Sequence, residues 1–372
     1  MATINRRNWL KIAGMAGTAA VVGSIGTLAN TQPEVSIKAN PTDGQPARLS
    51  LNENPFGPSE RVRKVIVDSL DAACRYPRHT ELVKAIAQKE GLLQENIVVT
   101  GGSTEGLKAA GLLFGAEKGE IVAPDPTFQA LLEYAEQWGA YIHRVPVRPS
   151  TLQHDLVAME QRVTGNTRLV FVCNPNNPTG ALLTAGELRD FISSVSKRAL
   201  VFCDEAYFDY ITTPGYPSMV DMVRRNENVI VSRTFSKVFG LTGLRIGYLM
   251  ARADIAARLR ESLMAGTNIL AINAAAAALE DHDFYEYSKE QNAKAKQTIC
   301  QCLNELGLQY LPSHTNFVFF RTGRNIHEIN TAMQERGVLV GRPFPPFMDW
   351  CRVSTGKPED VARFTAALKE II

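Results

Sequence analysis

The sequence predicts an α/β protein: a three-layer large domain built on a mainly parallel sheet, followed by a smaller α/β domain. Three observations predict it. Short runs rich in β-branched residues recur along the first two thirds of the chain, helical patterns separate them, and the rhythm changes near Gly266. Near-continuous apolar strands alternating with helices indicate a parallel sheet covered on both faces, because a strand buried on both sides keeps no polar face.

The runs are NIVVT (96–100), EIVAP (120–124), LVFVC (169–173), ALVFCD (199–204) and NVIVSR (228–233). In such sheets ligands sit beyond the carboxyl ends of the strands, so each run should lead into chemically useful residues. After NIVVT comes GGSTEGLKAAGLLF, a glycine-rich turn opening a helix; its first N–H groups could hold an anion or simply be capped by a hydroxyl. After EIVAP comes DPTF, whose Phe128 reads as core or as a stacking ring. NPNNPTG follows LVFVC and is either a tight connection or a site loop. Asp204, Glu205, Ala206 and Tyr207 end the fourth run, and the fifth leads into SRTFSKVFGLTGLRIGY, with Lys237 near Thr234 and Ser236 and eight residues before Arg245.

From about Gly266 an alanine-rich helical stretch, in which Ala274 to Ala278 read as tight helix packing, leads to a long polar helix near Asp283 to Leu306. Then come TNFVFFR (315–321), GVLVGR (337–342), CRVSTG (351–356) and a final helix. The expected division is an export signal over 1–29, an N-terminal arm over 30–56, a large cofactor-binding domain over 57–265 and a small C-terminal domain over 266–372.

A length of 372 residues and an apolar fraction of 45% allow two well-buried cores. The formal charge is +2, but residues 1–29 hold Arg6, Arg7 and Lys11 and no acid; without these three, 37 of the 40 basic residues face 38 acidic ones. That balance leaves no net basic excess with which to attract nucleic acid or anionic membrane. The first residues run NRRNWLK, then uncharged Ile12 to Leu28, then Ala29, which is the pattern of an export signal. Its middle is too rich in Gly and Ala, and slightly short of the roughly 20 residues of a membrane span. Arg6 and Arg7 followed by Trp9, Leu10 and Lys11 resemble the twin-arginine signal family, with Asn5 where Ser or Thr is usual and Trp9 where Phe is usual. Export, to the periplasm by the twin-arginine route, is the expectation, with no membrane contact after signal removal; cytoplasmic and membrane-anchored locations are the alternatives. Of six cysteines, Cys173 and Cys203 lie in apolar runs, Cys300 and Cys302 are one residue apart, and no Cys and His spacing matches zinc. Neither a metal nor a required disulfide is expected.

A carboxylate ending one strand, a lysine after the next, and a helix terminus fit for phosphate along the same edge match the needs of pyridoxal phosphate: an amine, an acidic partner for the ring nitrogen and an anion site. From SLNENPFGPS (50–59) to the C-terminus the chain resembles the fold-type I aminotransferases, most nearly the histidinol-phosphate aminotransferase group, on NPNNPTG, DEAY and SKVFGLTGLRIG. The resemblance implies that Lys237 carries the cofactor as a Schiff base and moves the substrate proton, that Asp204 pairs with the pyridine nitrogen, and that Tyr207 and Asn177 bond the ring 3′-oxygen. It places Phe128, where many relatives have Tyr, against the ring. Gly102, Ser103, Thr104, Thr234, Ser236 and Arg245 fall at the phosphate, and Tyr76 reaches the phosphate of a neighbouring subunit, which implies a homodimer. Arg352 falls at the substrate α-carboxylate, with Asn52 and Asn177 supporting the substrate.

Histidinol phosphate has no α-carboxylate, Phe56 stands where some enzymes using it have Tyr, and RPFPPFMDW (342–350) departs from their pattern. The expected activity is therefore transfer between an L-amino acid and a 2-oxo acid, with Arg342 a candidate for a second anion or for a structural ion pair. The alternatives are histidinol phosphate as donor, a decarboxylase resembling threonine-phosphate decarboxylase, and a non-catalytic binding protein. A nucleotide hydrolase is excluded, since G-x-x-x-x-G-K-[ST] does not occur.

Overall fold

The computed structural model describes residues 45–116 and 119–372. The expected export signal and the first part of the expected arm lie outside them. Eleven strands are described: β1 (Ala47–Arg48), β2 (Ile97–Thr100), β3 (Glu120–Asp125), β4 (Tyr141–Pro146), β5 (Thr167–Cys173), β6 (Leu200–Asp204), β7 (Val229–Thr234), β8 (Gly247–Ala251), β9 (Phe317–Arg321), β10 (Val338–Leu339) and β11 (Trp350–Ser354). Seven of them form one sheet in the order β2-β8-β7-β6-β5-β3-β4. Within it only the pairings of β8 with its two neighbours are antiparallel, so the α/β fold with a mainly parallel sheet is as expected.

All five apolar runs are strands of this sheet, and two further strands join them. β4 is an edge strand with alternating exposure, and its His143 and Arg144 broke the apolar signal. β8 follows β7 with only the single 3₁₀ turn Thr242–Leu244 and no α-helix between, so no alternation announced it. Along β6, Leu200 and Phe202 enter the core on one face while Val201 and Cys203 enter the core on the other. This period of two, with helices on both sides, produces the three layers. The helix Ile269–Leu279 starts at an Asn268 cap whose side chain accepts from the Ala271 N–H. It packs its small residues against the helices Glu60–Asp68 and Thr80–Glu90.

The remaining strands form two small sheets. β9 pairs antiparallel with β11, and β10 pairs parallel with β1. Of GVLVGR only 338–339 are strand, because Gly341 turns in against β11: its N–H donates to the Arg352 carbonyl at 2.8 Å, and a Cβ there would meet that oxygen at 2.7 Å. Helices His282–Glu305, Ile326–Glu335 and Pro358–Ile371 cover these sheets.

Residues 49–56 form a strap between the small sheets and the lysine loop. The Leu49 carbonyl accepts from the Ser354 N–H at 2.8 Å, and Asn54 Nδ2 donates to the Val238 carbonyl at 2.8 Å. The strap lies flat on the loop because Gly57 meets Gly240, where a Cβ would come within 2.9 Å of backbone and Gly240 has a φ of +68°.

Candidate active site

A cavity of about 490 Å³ opens beyond the carboxyl ends of β5, β6 and β7, closed by the strap on one side and by residues 340–352 on another. Asp204 is the last residue of β6 and is buried. Its carboxylate accepts the Ala206 N–H at 3.2 Å. Burial pushes it up to about 7, against that hydrogen bond and the nearby Lys237 charge. Lys237 lies three residues beyond β7 and donates from Nζ to the Asn52 carbonyl at 2.8 Å. Burial, then the Arg352 charge, bring its amine down to about 8, with Glu53 and Asp204 opposing. Neutral amine and protonated carboxyl are thus both within reach near neutral pH.

Tyr207 is buried, and its hydroxyl oxygen accepts from Asn52 Nδ2 at 2.9 Å. Burial raises its phenol, which stays protonated. Arg352, on β11, donates from Nη1 to Asn177 Oδ1 at 2.6 Å and from Nη2 to the Ser50 carbonyl at 2.7 Å. Its Nε is buried with no partner, and burial lowers the guanidinium to about 10. The Phe344 ring lies 4.8 Å from the Arg352 guanidinium and 4.5 Å from that of Arg342, so two cations flank one ring at the cavity wall.

At the other end the helix Ser103–Gly115 points its first turn at the cavity, where the amides of Ser103 and Thr104 have no intrahelical acceptor. Gly102 stands behind them with a φ of +81°, and any Cβ would collide with the Arg245 guanidinium. Gly247 is as tightly placed, since a Cβ would meet the Ser103 nitrogen at 2.7 Å. Arg245 adopts a left-handed conformation with φ of 56° and reaches the cavity beside Ser236 and Thr242.

Most residues singled out in the sequence thus meet here: Asn52, Ser103, Thr104, Phe128, Asn177, Asp204, Tyr207, Ser236, Lys237, Arg245, Arg342 and Arg352 all line the cavity. Thr234 does not line it. Its Oγ1 accepts the Ser236 N–H at 3.1 Å and shapes the loop, because the strand is still turning its side chains into the core at that point. Tyr76 is fully exposed and outside the cavity, and Phe56 packs edge-on against Tyr287 instead. Ser50, Leu51, Thr127, Cys173, Ala206, Thr242, Val340 and Phe344 complete the lining without having been proposed as site residues. All of them fall inside segments the sequence makes conspicuous, Thr242 in SKVFGLTGLRIG and Phe344 in RPFPPFMDW among them, but no chemistry of their own marked them out.

Residues 46–368 match the model of the family described as aminotransferase class I and II. The chain belongs to this family. The aminotransferase is 38% identical over 333 residues to a histidinol-phosphate aminotransferase of Moorella thermoacetica, covering 87% of this chain and 85% of the relative. It is 36% identical over 330 residues to histidinol-phosphate aminotransferase 1 of Dechloromonas aromatica, covering 87% of this chain and 90% of the relative. A solved structure of histidinol-phosphate aminotransferase from Sinorhizobium meliloti in complex with pyridoxal-5′-phosphate superposes with a TM-score of 0.80 at 27% identity, covering 88% of this chain and 90% of that one. The protein is a pyridoxal-phosphate-dependent transaminase.

The cavity residues of the aminotransferase fit that cofactor. Asp204 accepts one backbone hydrogen bond and keeps acceptor capacity for a ring N–H; the Ser103 and Thr104 amides with Arg245 form an anion cradle too tight for a side chain at Gly102. Arg352 brings a further cationic group to the wall of the same cavity. Among the described residues no group of three or more His, Cys, Asp or Glu could hold a metal ion, and no helix is long and apolar enough to cross a membrane.

Proposed function

We propose that this aminotransferase moves an amino group between an L-amino acid and a 2-oxo acid, with Lys237 as cofactor anchor and proton carrier. The observation that carries this reading is the meeting, in one cavity, of a buried amine near its neutral form, a buried carboxyl and an arginine with an unpartnered buried Nε. Bound pyridoxal phosphate supplies an electron-withdrawing ring that stabilises negative charge on the substrate carbon. Lys237 Nζ would hold the cofactor and, in its neutral form, would take the proton from the donor α-carbon. Asp204 accepts the ring N–H and holds that proton in place. Tyr207 and Asn177 donate to the ring oxygen, Phe128 covers the ring, and Ser103, Thr104, Ser236 and Arg245 hold the phosphate. Arg352 takes the substrate carboxylate.

The names of the relatives favour a second donor, histidinol phosphate, whose phosphate Arg352 and Arg342 could share. A screen of acidic, aliphatic and aromatic amino acids and histidinol phosphate, each with a 2-oxo acid, separates the readings. Amino transfer from an amino acid supports the first. Exclusive turnover of histidinol phosphate replaces it with the second, and release of carbon dioxide without transfer turns both into a decarboxylase.

The active species is a homodimer in this reading. Tyr76 is fully exposed, and Leu51, Val67, Leu70 and Met264 also expose more than half of their surface, as a contact between copies would require. Sedimentation of the purified protein as a monomer would overturn this. Residues 1–29 direct export by the twin-arginine route, on the strength of Arg6, Arg7 and the weakly apolar run behind them. A reporter fused behind this segment should stay in the cytoplasm when both arginines become lysine, and continued export would sink the idea.

A further inference from the structure

We propose that Ser354 is a positioning residue for the transamination: acting through Asn52, it keeps the hydroxyl hydrogen of Tyr207 turned into the cavity, toward the cofactor's ring oxygen. The inference rests on the reading that Tyr207 donates to that oxygen.

A serine hydroxyl has one hydrogen to give. Ser354 Oγ accepts the backbone N–H of Asn52 at 2.8 Å and donates its hydrogen to Asn52 Oδ1 at 2.9 Å. With Oδ1 held in this way, the other end of the amide must face Tyr207. Asn52 Nδ2 lies 2.9 Å from the Tyr207 oxygen, and an amide NH₂ can only donate. Tyr207 is therefore an acceptor toward the strap, and its own hydrogen is left for the cavity that its ring lines.

The reversed amide is disfavoured by the same count. Turned over, Asn52 would present only N–H groups to Ser354, and the serine hydrogen would lose the acceptor it now has in Asn52 Oδ1. All three residues are nearly without solvent, at 1%, 2% and 4% exposure, so no water stands by to repair the mismatch. Asn52 itself is held in place by its left-handed backbone, with φ of 55°, and by Asn316 Nδ2 donating to its carbonyl at 3.0 Å.

Ser354 and Arg352 stand two residues apart on β11 and so share a face of the strand. Arg352 Nη1 occupies Asn177 Oδ1, which leaves the Asn177 NH₂ as the free end of that amide. One strand thus aims both donors that the proposed function assigns to the ring oxygen.

The test is the pH midpoint of the visible absorbance change of the cofactor-loaded protein. A hydrogen bond donated to the ionised ring oxygen favours the deprotonated form, so its loss raises the midpoint, by about one unit for a bond to a charged group. Tyr207→Phe sets the reference shift. Ser354→Ala should raise the midpoint by a comparable amount and add nothing further in the Tyr207→Phe background. Ser354→Thr should restore the wild-type midpoint. Should Ser354→Ala fail to fold, Ser354→Val against Ser354→Thr makes the same comparison at equal shape, and Ser354→Val should shift where Ser354→Thr does not. A midpoint unmoved by loss of the Ser354 hydroxyl, with Tyr207→Phe shifting it, overturns the proposal alone. A midpoint unmoved by Tyr207→Phe overturns the reading of Tyr207 and the proposal with it.

Discussion

Glu205 and Arg233 form an ion pair of 2.8 Å beneath the active site, with side chains only 4% and 6% exposed. Each stands at a strand end that leads into the site: Glu205 follows Asp204, the last residue of β6, and Arg233 precedes Thr234, the last residue of β7. Glu205 also accepts the Met219 N–H at 2.7 Å and the Ser218 hydroxyl at 2.8 Å, while Arg233 lies 4.0 Å over the Phe208 ring. The pair therefore joins the strand that carries the carboxyl to the strand that leads to the lysine.

Removing one member should cost more than removing both. Arg233→Met strands a buried carboxylate and should lower stability by about 3–5 kcal/mol, whereas Arg233→Met with Glu205→Leu should recover much of that loss. Urea unfolding of the wild type, both single variants and the double variant decides it; a loss in the double equal to the sum of the two single losses would show that the pair is not coupled.

Asp204 gives the cofactor-free protein a pH dependence of known sign. Its folded value of about 7 is above its ordinary 3.8, so the folded state holds the extra proton between these values. The contribution to stability is complete below about pH 4 and is lost as pH rises through 7. Asp204→Asn should remove this decline in urea midpoints measured from pH 5 to 8. It should also lower the rate of amino transfer by about 10²-fold or more, since the ring nitrogen loses its anionic partner.

Lys237 works in the opposite direction. Its folded value of about 8 lies below its ordinary 10.5, so the folded state carries a buried ammonium below pH 8 that it sheds sooner than the unfolded chain does. Stability contributed by this group rises between about pH 8 and 10.5. Lys237→Met should stabilise the cofactor-free protein at pH 7, by about 3 kcal/mol at most, with the advantage fading toward pH 10. The same variant should lose roughly 10²- to 10⁴-fold in amino transfer.

Arg352→Lys keeps a positive charge but gives up the planar fork. It should raise KM for carboxylate donors by about 10- to 100-fold, the worth of one charge-assisted hydrogen bond, with a smaller change in kcat. Steady-state kinetics at saturating 2-oxo acid measure the split, and an unchanged KM would remove Arg352 from the substrate site.

The five strands legible in the sequence are continuous apolar runs set off by helical patterns and buried along most of their length. β4 was hidden because an edge strand has a wet side, and β8 because it returns antiparallel beside β7 with no α-helix between them. Asp204 and Lys237 were legible because they sit where apolar strands end. Thr234, the last residue of β7, is buried, and its Oγ1 accepts the Ser236 N–H, a contact that strand ends alone do not announce.

By itself the sequence determined the strand-end positions, and so the chemical types of side chain gathered at one edge of the sheet. What only the tertiary structure decided is the direction in which those groups point. Asn52 reaches Ser354 across 302 residues and Tyr207 across 155, and Arg352 reaches Asn177 across 175. Spacing along the chain says nothing of such pairs; the packing of the small sheets against the strap brings them together. Burial in that packing also brings the Lys237 amine down and the Asp204 carboxyl up, because removing water penalises whichever form carries the charge.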